Sequence, residues 1–131
     1  MKLSLYFDGS YKVENDIMAW GFIIKDLSTN RTIHKDFGIF RESKSTSNVA
    51  EYKALYEGLL CAKKYNPSIL YIYGDCRTII DFHCGTKKPP KKKHLTNYYL
   101  LVIKELSCLN EYKIKWISRK QNREADRLLR N

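Results

Sequence analysis

The chain has 131 residues, of which 44% are hydrophobic and 29% charged, with only 6 Gly and 3 Pro. This balance indicates a single globular domain over residues 1–131 and excludes disordered, fibrous and repetitive proteins. Lysine and arginine outnumber acidic residues by 24 to 14, which gives a formal net charge of +10. That charge favours polyanions, nucleic acid first and acidic membrane second, whereas a solvated basic surface without a partner is the alternative.

The N-terminal segment and the cysteines bear on location. The apolar part of that segment is too short for a signal peptide, and no apolar run reaches the roughly 18 residues of a membrane span. The four cysteines form no Cys-x-x-Cys pair and do not alternate with histidine at zinc spacing. We expect a cytoplasmic, intracellular monomer without membrane association, with reduced and mostly buried cysteines.

The first third of the chain predicts an antiparallel meander. Apolar and polar side chains alternate over Leu3–Phe7, and the turn-forming pair Gly9-Ser10 predicts that this strand stops at Asp8. Ala19–Lys25 and Arg31–Phe40 indicate two further strands. Three consecutive strands joined by short polar turns are typical of a meander.

Helices and parallel strands are predicted for the rest of the chain. A helix from Val49 to about Tyr65 ends at Asn66-Pro67, because proline cannot continue the hydrogen-bond ladder. Ile69–Tyr73 is a nearly continuous apolar run, typical of a parallel strand inside a sheet. The remaining predictions are a short helix over Cys76–Cys84, a helix over Leu95–Leu109, a strand over Lys113–Ile117 and a short helix over Asn122–Leu129. This order predicts an α/β fold with helices packed on a mixed sheet.

Four acids occupy unusual positions. Asp8 and Asp75 close predicted core strands, Glu51 lies on the apolar stripe of the first helix, and Asp126 lies in the last helix. Taken singly, Asp8 could be a turn residue, Asp75 a helix cap and Asp126 a surface charge. Clustered carboxylates repel one another unless a cation neutralises them, and hard divalent cations prefer oxygen ligands. Together the four acids predict a site for cations such as Mg²⁺.

Each of these acids lies within a longer motif. The motifs are Tyr6–Ser10 (YFDGS), Thr46–Leu55 (TSNVAEYKAL), Tyr73–Cys76 (YGDC) and Asn122–Leu128 (NREADRL). In this order they resemble the motifs of the ribonuclease H type 1 family. The resemblance implies a ribonuclease H-like fold, in which a three-stranded antiparallel meander and parallel strands form a five-stranded mixed sheet with helices packed on it.

The resemblance also implies an activity, which is metal-dependent hydrolysis of the RNA strand of an RNA–DNA hybrid. The products would carry 5′-phosphate and 3′-hydroxyl ends. Two Mg²⁺ ions, with Mn²⁺ as a substitute, would share Asp8. Glu51 and Asp75 would hold one ion, and Asp126 would help to hold the other. Two other interpretations stay open: a non-catalytic module that binds hybrid or double-stranded RNA, and the ribonuclease H domain of a reverse transcriptase.

Substrate contacts are implied by the same resemblance. The implied residues are Gly9, Ser10, Thr46, Ser47 and Asn48. A lysine-rich loop over residues 87–93 could take the place of the basic protrusion of larger members, with Lys91, Lys92 and Lys93 contacting phosphates. The alternative for this loop is a solvated segment without a ligand.

The loop before the last acid departs from the family pattern. Many members carry a histidine there, whereas this chain has Ser118–Asn122 (SRKQN) without one. Arg119 resembles the substitute found in a subgroup with a shorter loop, and we expect it to assist catalysis. Arginine binds phosphate but stays charged near neutral pH, so it cannot shuttle protons.

Overall fold

The computed structural model describes residues 1–85 and 87–130. The elements follow one another as β1 (Lys2–Lys12), β2 (Ile17–Asp26), β3 (Arg31–Phe40), α1 (Ser47–Lys63), β4 (Ile69–Gly74), α2 (Arg77–His83), α3 (Lys93–Ser107), β5 (Tyr112–Trp116) and α4 (Arg123–Leu128). A 3-10 turn over Arg119–Asn122 precedes α4. The predicted element order is therefore confirmed. Among the described residues, none of the helices combines the length and apolarity needed to cross a bilayer.

The strands form one five-stranded sheet in the order β3-β2-β1-β4-β5. β1, β2 and β3 pair antiparallel as a meander, whereas β4 runs parallel to β1 and β5 runs parallel to β4. The predicted mixed sheet of antiparallel and parallel strands is confirmed.

The predicted end of β1 at Asp8 is wrong. The strand continues to Lys12, because the residues from Gly9 onward pair with β2 in a long hairpin. The ladder to β2 outweighs the turn preference of Gly9-Ser10, and the chain turns instead over residues 13–16. The parallel pairing with β4, however, ends at Phe7 opposite Gly74. Asp8 is therefore the first residue of β1 beyond β4.

Three smaller expectations also need correction. α1 begins at Ser47 and not at the predicted Val49, because the Thr46 hydroxyl accepts a hydrogen bond from the Val49 amide and caps the helix. Cys76, not Asp75, occupies the N-cap of α2. The cysteines are free thiols, but they are not mostly buried: two are half-buried and two are exposed, namely Cys61, Cys76, Cys84 and Cys108.

The core lies between the sheet and α1. Leu5 and Phe7 on β1 are fully buried, as are Leu55 and Leu59 on the predicted apolar stripe of α1. A Cβ at Gly58 would lie 2.7 Å from Leu5 Cδ1, so glycine allows α1 to approach β1 closely. α3 packs behind α1, while α4 packs against β1 and β2. Because α1 sits on one face and α4 on the other, both can bring acids to the end of β1.

Gly74 tests how tightly this core is packed. A methyl group there would lie 2.5 Å from Phe7 Cζ, so the fully buried ring or the backbone would have to shift. We expect Gly74→Ala to lower the free energy of unfolding by about 1–3 kcal/mol in urea denaturation. Gly21→Ala is the matched control, since its methyl would meet Leu129 Cδ2 at 3.2 Å and the leucine can shift. Equal losses for the two variants would contradict the tight packing at Gly74.

Candidate active site

Three carboxylates from three elements converge at one end of the sheet. Asp8 lies on β1, Glu51 in the first turns of α1 and Asp75 directly after β4. One oxygen from each lies within 4.8 Å of the others. Asp8 is 5% exposed and Glu51 8% exposed, while Asp75 is half-buried. We call Asp8, Glu51 and Asp75 the carboxylate triad.

The register of the sheet places two members of the triad side by side. Phe7 pairs with Gly74 in the parallel ladder, so the next residue on each strand is an aspartate. Trp116 of β5 donates a hydrogen bond from Nε1 to the Asp75 carbonyl at 3.0 Å. The backbone that carries Asp75 is therefore fixed from the neighbouring strand.

Gly9 brings the third member to the other two. A Cβ at this position would lie 2.3 Å from the carbonyl carbon of Ala50, so only glycine allows β1 to lie against the start of α1. The Gly9 amide donates to Glu51 Oε1 at 3.1 Å and to Asp8 Oδ1 at 3.0 Å. One backbone N–H thus orients two of the three carboxylates.

Asp126 lies beside the triad but outside it. It is on α4, its side chain is 18% exposed, and Arg130 donates from Nε to its Oδ2 at 3.0 Å. Asp126 is close enough to raise the pKa of Asp8 by its charge and by a hydrogen bond. The structure therefore brings three of the four predicted acids within 4.8 Å, with the fourth paired to an arginine.

Burial opposes the full ionisation of the carboxyl groups in this cluster. The pKa of Asp8 rises from 3.8 to about 7, first because the carboxyl is buried and then because Asp75 and Asp126 repel its charge. Burial followed by repulsion from Asp8 and Asp75 also raises the pKa of Glu51 well above 4.5. Burial raises the pKa of Asp75, against the opposing effects of Asn122 and Arg119. Oxygen donors that repel one another in a confined space suit a hard divalent cation.

Asn122 is a site residue to which the sequence assigned no role. It is 1% exposed, and its Nδ2 donates to the Phe7 carbonyl at 2.8 Å with a longer contact of 3.5 Å to Asp75 Oδ2. Its Oδ1 is buried without a hydrogen-bond partner among the described residues. Asn122 opens the last sequence motif, which was the available signal, but its contacts depend on tertiary structure.

Two implied substrate-binding side chains have hydrogen bonds within the protein. Thr46 Oγ1 caps α1, and Asn48 Oδ1 accepts a long contact of 3.6 Å from Cys76 Sγ. Ser47 is exposed at the start of α1, and Ser10 is half-buried on β1. All of these residues lie within four positions of Asp8 or five of Glu51.

The basic residues of the prediction lie around the site rather than in it. Arg119 is exposed in the 3-10 turn, and its charge partly opposes the burial that raises the pKa of Asp75. Lys91, Lys92 and Lys93 are exposed where α3 begins. These lysines are therefore free to meet a ligand that extends beyond the carboxylates.

A family described as reverse transcriptase-like matches residues 6–131 of the sequence. The chain belongs to this ribonuclease H-like family. A curated relative from Bacillus subtilis strain 168, the uncharacterized protein YpeP, is 29% identical over an alignment of 134 residues. The alignment covers 96% of this chain. The chain spans about half the length of that relative, 56%.

Solved ribonuclease H structures share the fold. The N-terminal RNase H domain of rv2228c from Mycobacterium tuberculosis superposes with a TM-score of 0.90 at 22% identity, covering 98% of this chain and 91% of that one. RNase H1 from Halobacterium salinarum NRC-1 gives 0.89 at 20% identity, with coverages of 99% and 96%. LC11-RNase H1 in complex with an RNA/DNA hybrid gives 0.86 at 22% identity, with coverages of 98% and 94%. The predicted ribonuclease H-like fold is confirmed.

The raised pKa of Asp8 makes the stability of the metal-free protein depend on pH. In the folded state the carboxyl keeps its proton up to about pH 7, whereas in the unfolded chain it loses it near 3.8. The free energy of unfolding therefore falls as pH rises between these values. We expect Asp8→Asn to raise that free energy on the order of 1–3 kcal/mol at about pH 8 and much less at about pH 4. Urea denaturation in EDTA measures this, and an equal gain at both pH values would contradict it.

Asn122→Ala should loosen the attachment of Asp75. The variant leaves the buried Phe7 carbonyl without its donor, so we expect a loss of about 1–3 kcal/mol in the free energy of unfolding. Exposed Arg123, mutated to Ala, is the control for the neighbouring position, with a loss below about 1 kcal/mol. Thermal and urea denaturation check both, and a wild-type stability for Asn122→Ala would show that its hydrogen bond contributes nothing.

Proposed function

We propose that the protein is a metal-dependent endoribonuclease that hydrolyses the RNA strand of RNA–DNA hybrids. The observation that carries this proposal is the buried carboxylate triad, within 4.8 Å and flanked by Asp126, in a ribonuclease H-like fold. Support also comes from the net charge of +10, which suits a polyanionic substrate. One similar structure, that of LC11-RNase H1, contains an RNA/DNA hybrid.

The cations would be held by the triad and Asp126. Asp8 suits the shared position, because its pKa is raised by both Asp75 and Asp126 and it therefore lies near each of them. Two divalent cations, Mg²⁺ or Mn²⁺, would supply an activated water and neutralise charge on the leaving oxygen of the phosphodiester, which leaves 5′-phosphate and 3′-hydroxyl ends. Arg130 Nε binds Asp126 Oδ2, so a cation at Asp126 would compete for that one oxygen.

The chain's own residues orient the carboxylates. The Gly9 amide fixes Glu51 and Asp8, and Asn122 together with Trp116 fixes Asp75. Arg119 is the exposed cation that acts on Asp75, so it can bind a phosphate oxygen of the substrate or product. Because guanidinium stays protonated, Arg119 would act on charge and not on proton transfer.

Substrate recognition would extend from the start of α1. Gly9, Ser10, Thr46, Ser47 and Asn48 lie close in sequence to Asp8 and Glu51. The exposed Lys91, Lys92 and Lys93 would add phosphate contacts that do not depend on sequence. Selectivity for a hybrid over double-stranded RNA would come from 2′-hydroxyl contacts to one strand and from duplex shape.

Cleavage of labelled RNA tests the proposal directly. We expect end-labelled RNA paired with DNA to be cut with Mg²⁺ or Mn²⁺ and left intact in EDTA. Asp8→Asn removes a carboxylate at the centre of the cluster, so its rate should fall at least roughly 100-fold. Glu111→Gln, which neutralises an exposed acid, is the matched control and should cleave like the wild type.

The other outcomes separate the alternatives. Equal cleavage by Asp8→Asn would overturn the assignment of the site. Hybrid binding without cleavage, in the presence of either cation, would favour a non-catalytic binding module. RNA paired with RNA in a parallel reaction shows whether double-stranded RNA is also a substrate.

A further inference from the structure

The face of the sheet opposite α1 carries tyrosines and lysines on its parallel half. Alternate residues of a strand point to one face, and the register aligns Tyr6 with Tyr73. Tyr71 and Tyr73 are in turn opposite Lys113 and Lys115 of β5. We call Tyr71, Tyr73, Lys113 and Lys115 the tyrosine–lysine platform.

The tyrosine rings on this face are stacked and partly exposed. Tyr6 and Tyr73 stack with their centroids 5.1 Å apart at 28°, and Lys25 Nζ lies 5.7 Å from the Tyr6 centroid. Tyr6 is therefore covered by neighbours. Tyr71 and Tyr73 are only half-buried, because α4 covers the other half of this face, over β1 and β2.

The charges beside the rings are positive and unpaired. Lys113 and Lys115 are exposed, and neither has an ion-pair partner within residues 1–85 and 87–130. Glu124 of α4 is paired with Lys25, with Oε1 and Nζ 2.6 Å apart. Glu111 lies just before β5, at the far end of this face from the triad. A ligand with aromatic and anionic groups would complement the platform.

We propose that the tyrosine–lysine platform binds single-stranded nucleic acid. Bases would stack on Tyr71 and Tyr73, and phosphates would pair with Lys113 and Lys115. Side chains two residues apart on a strand are roughly 6.6 Å apart, which gives a regular row of rings beside a regular row of cations. A duplex keeps its bases inside the helix, whereas aromatic residues on an open sheet face stack bases that are unpaired.

The platform is distinct from the carboxylate triad. Tyr73 is two residues before Asp75 on the same face, but the 3-10 turn stands over this end of β1, where Gln121 and Asn122 line a cleft with Tyr6. A nucleic-acid strand on the platform would therefore lie next to the triad, on the β4–β5 half of the sheet. This binding goes beyond the proposed hydrolysis and does not depend on it.

Fluorescence anisotropy with a fluorescein-labelled oligothymidylate in EDTA tests the platform without cleavage. Tyr71→Ser should weaken binding at least roughly fivefold, whereas Tyr71→Phe, which keeps the ring, should bind like the wild type. Lys113→Gln with Lys115→Gln should weaken binding more than Lys64→Gln with Lys104→Gln. The second pair removes the same charge from α1 and α3, on the opposite side of the sheet.

The outcomes are distinguishable from those of the cleavage assay. Tyr71→Ser should cleave hybrids at the wild-type rate, because Tyr71 is not part of the proposed site. Equal losses for the two lysine pairs, with no effect of Tyr71→Ser, would show that only net charge attracts the oligonucleotide and would overturn the proposal. Photo-cross-linking of a 5-iodouracil oligonucleotide to the wild type avoids any folding defect. Cross-links should map to Tyr71 or Tyr73, and cross-links confined to the lysine-rich loop would contradict the platform.

Discussion

The structure depends on holding mutually repelling carboxylates together at the end of a sheet. Two backbone features impose this arrangement: the parallel register that sets Asp8 beside Asp75, and the contact of Gly9 with α1 that brings in Glu51. Burial and mutual repulsion both raise the pKa of Asp8, so the fold alone does not compensate the negative charge of the carboxylates. Such a cluster of repelling oxygen donors suits a hard divalent cation.

The rest of the fold supports that end of the sheet from both faces. α1 packs its apolar stripe against β1 and delivers Glu51, while α4 and its preceding 3-10 turn deliver Asp126 and Asn122 from the other face. Asn122 connects β1 to Asp75, and Arg130 occupies Asp126. The chain thus combines a closely grouped triad with a fourth acid that is paired with an arginine.

The sequence predicted the element order, the sheet class and the convergence of acids, because hydrophobic periodicity and four ordered motifs both report on the fold. Its errors arose where tertiary contacts decide the outcome. Turn propensity at Gly9-Ser10 lost to the β2 ladder, and the role of Asn122 depends on the carbonyl of Phe7, which is far away in sequence. The tyrosine–lysine platform could be recognised only from the register between β4 and β5, which alternation within a single strand does not reveal.

Cation binding tests directly whether the carboxylate triad is a metal site, because it addresses the carboxylates before any substrate is involved. Isothermal titration calorimetry of the metal-free protein with Mn²⁺ at about pH 7, in buffers of different ionisation enthalpy, measures both affinity and proton release. Because the pKa of Asp8 is raised to about 7, we expect binding accompanied by proton release, with both lost in Asp8→Asn. Absence of binding, or binding that Asp8→Asn leaves unchanged, would contradict it.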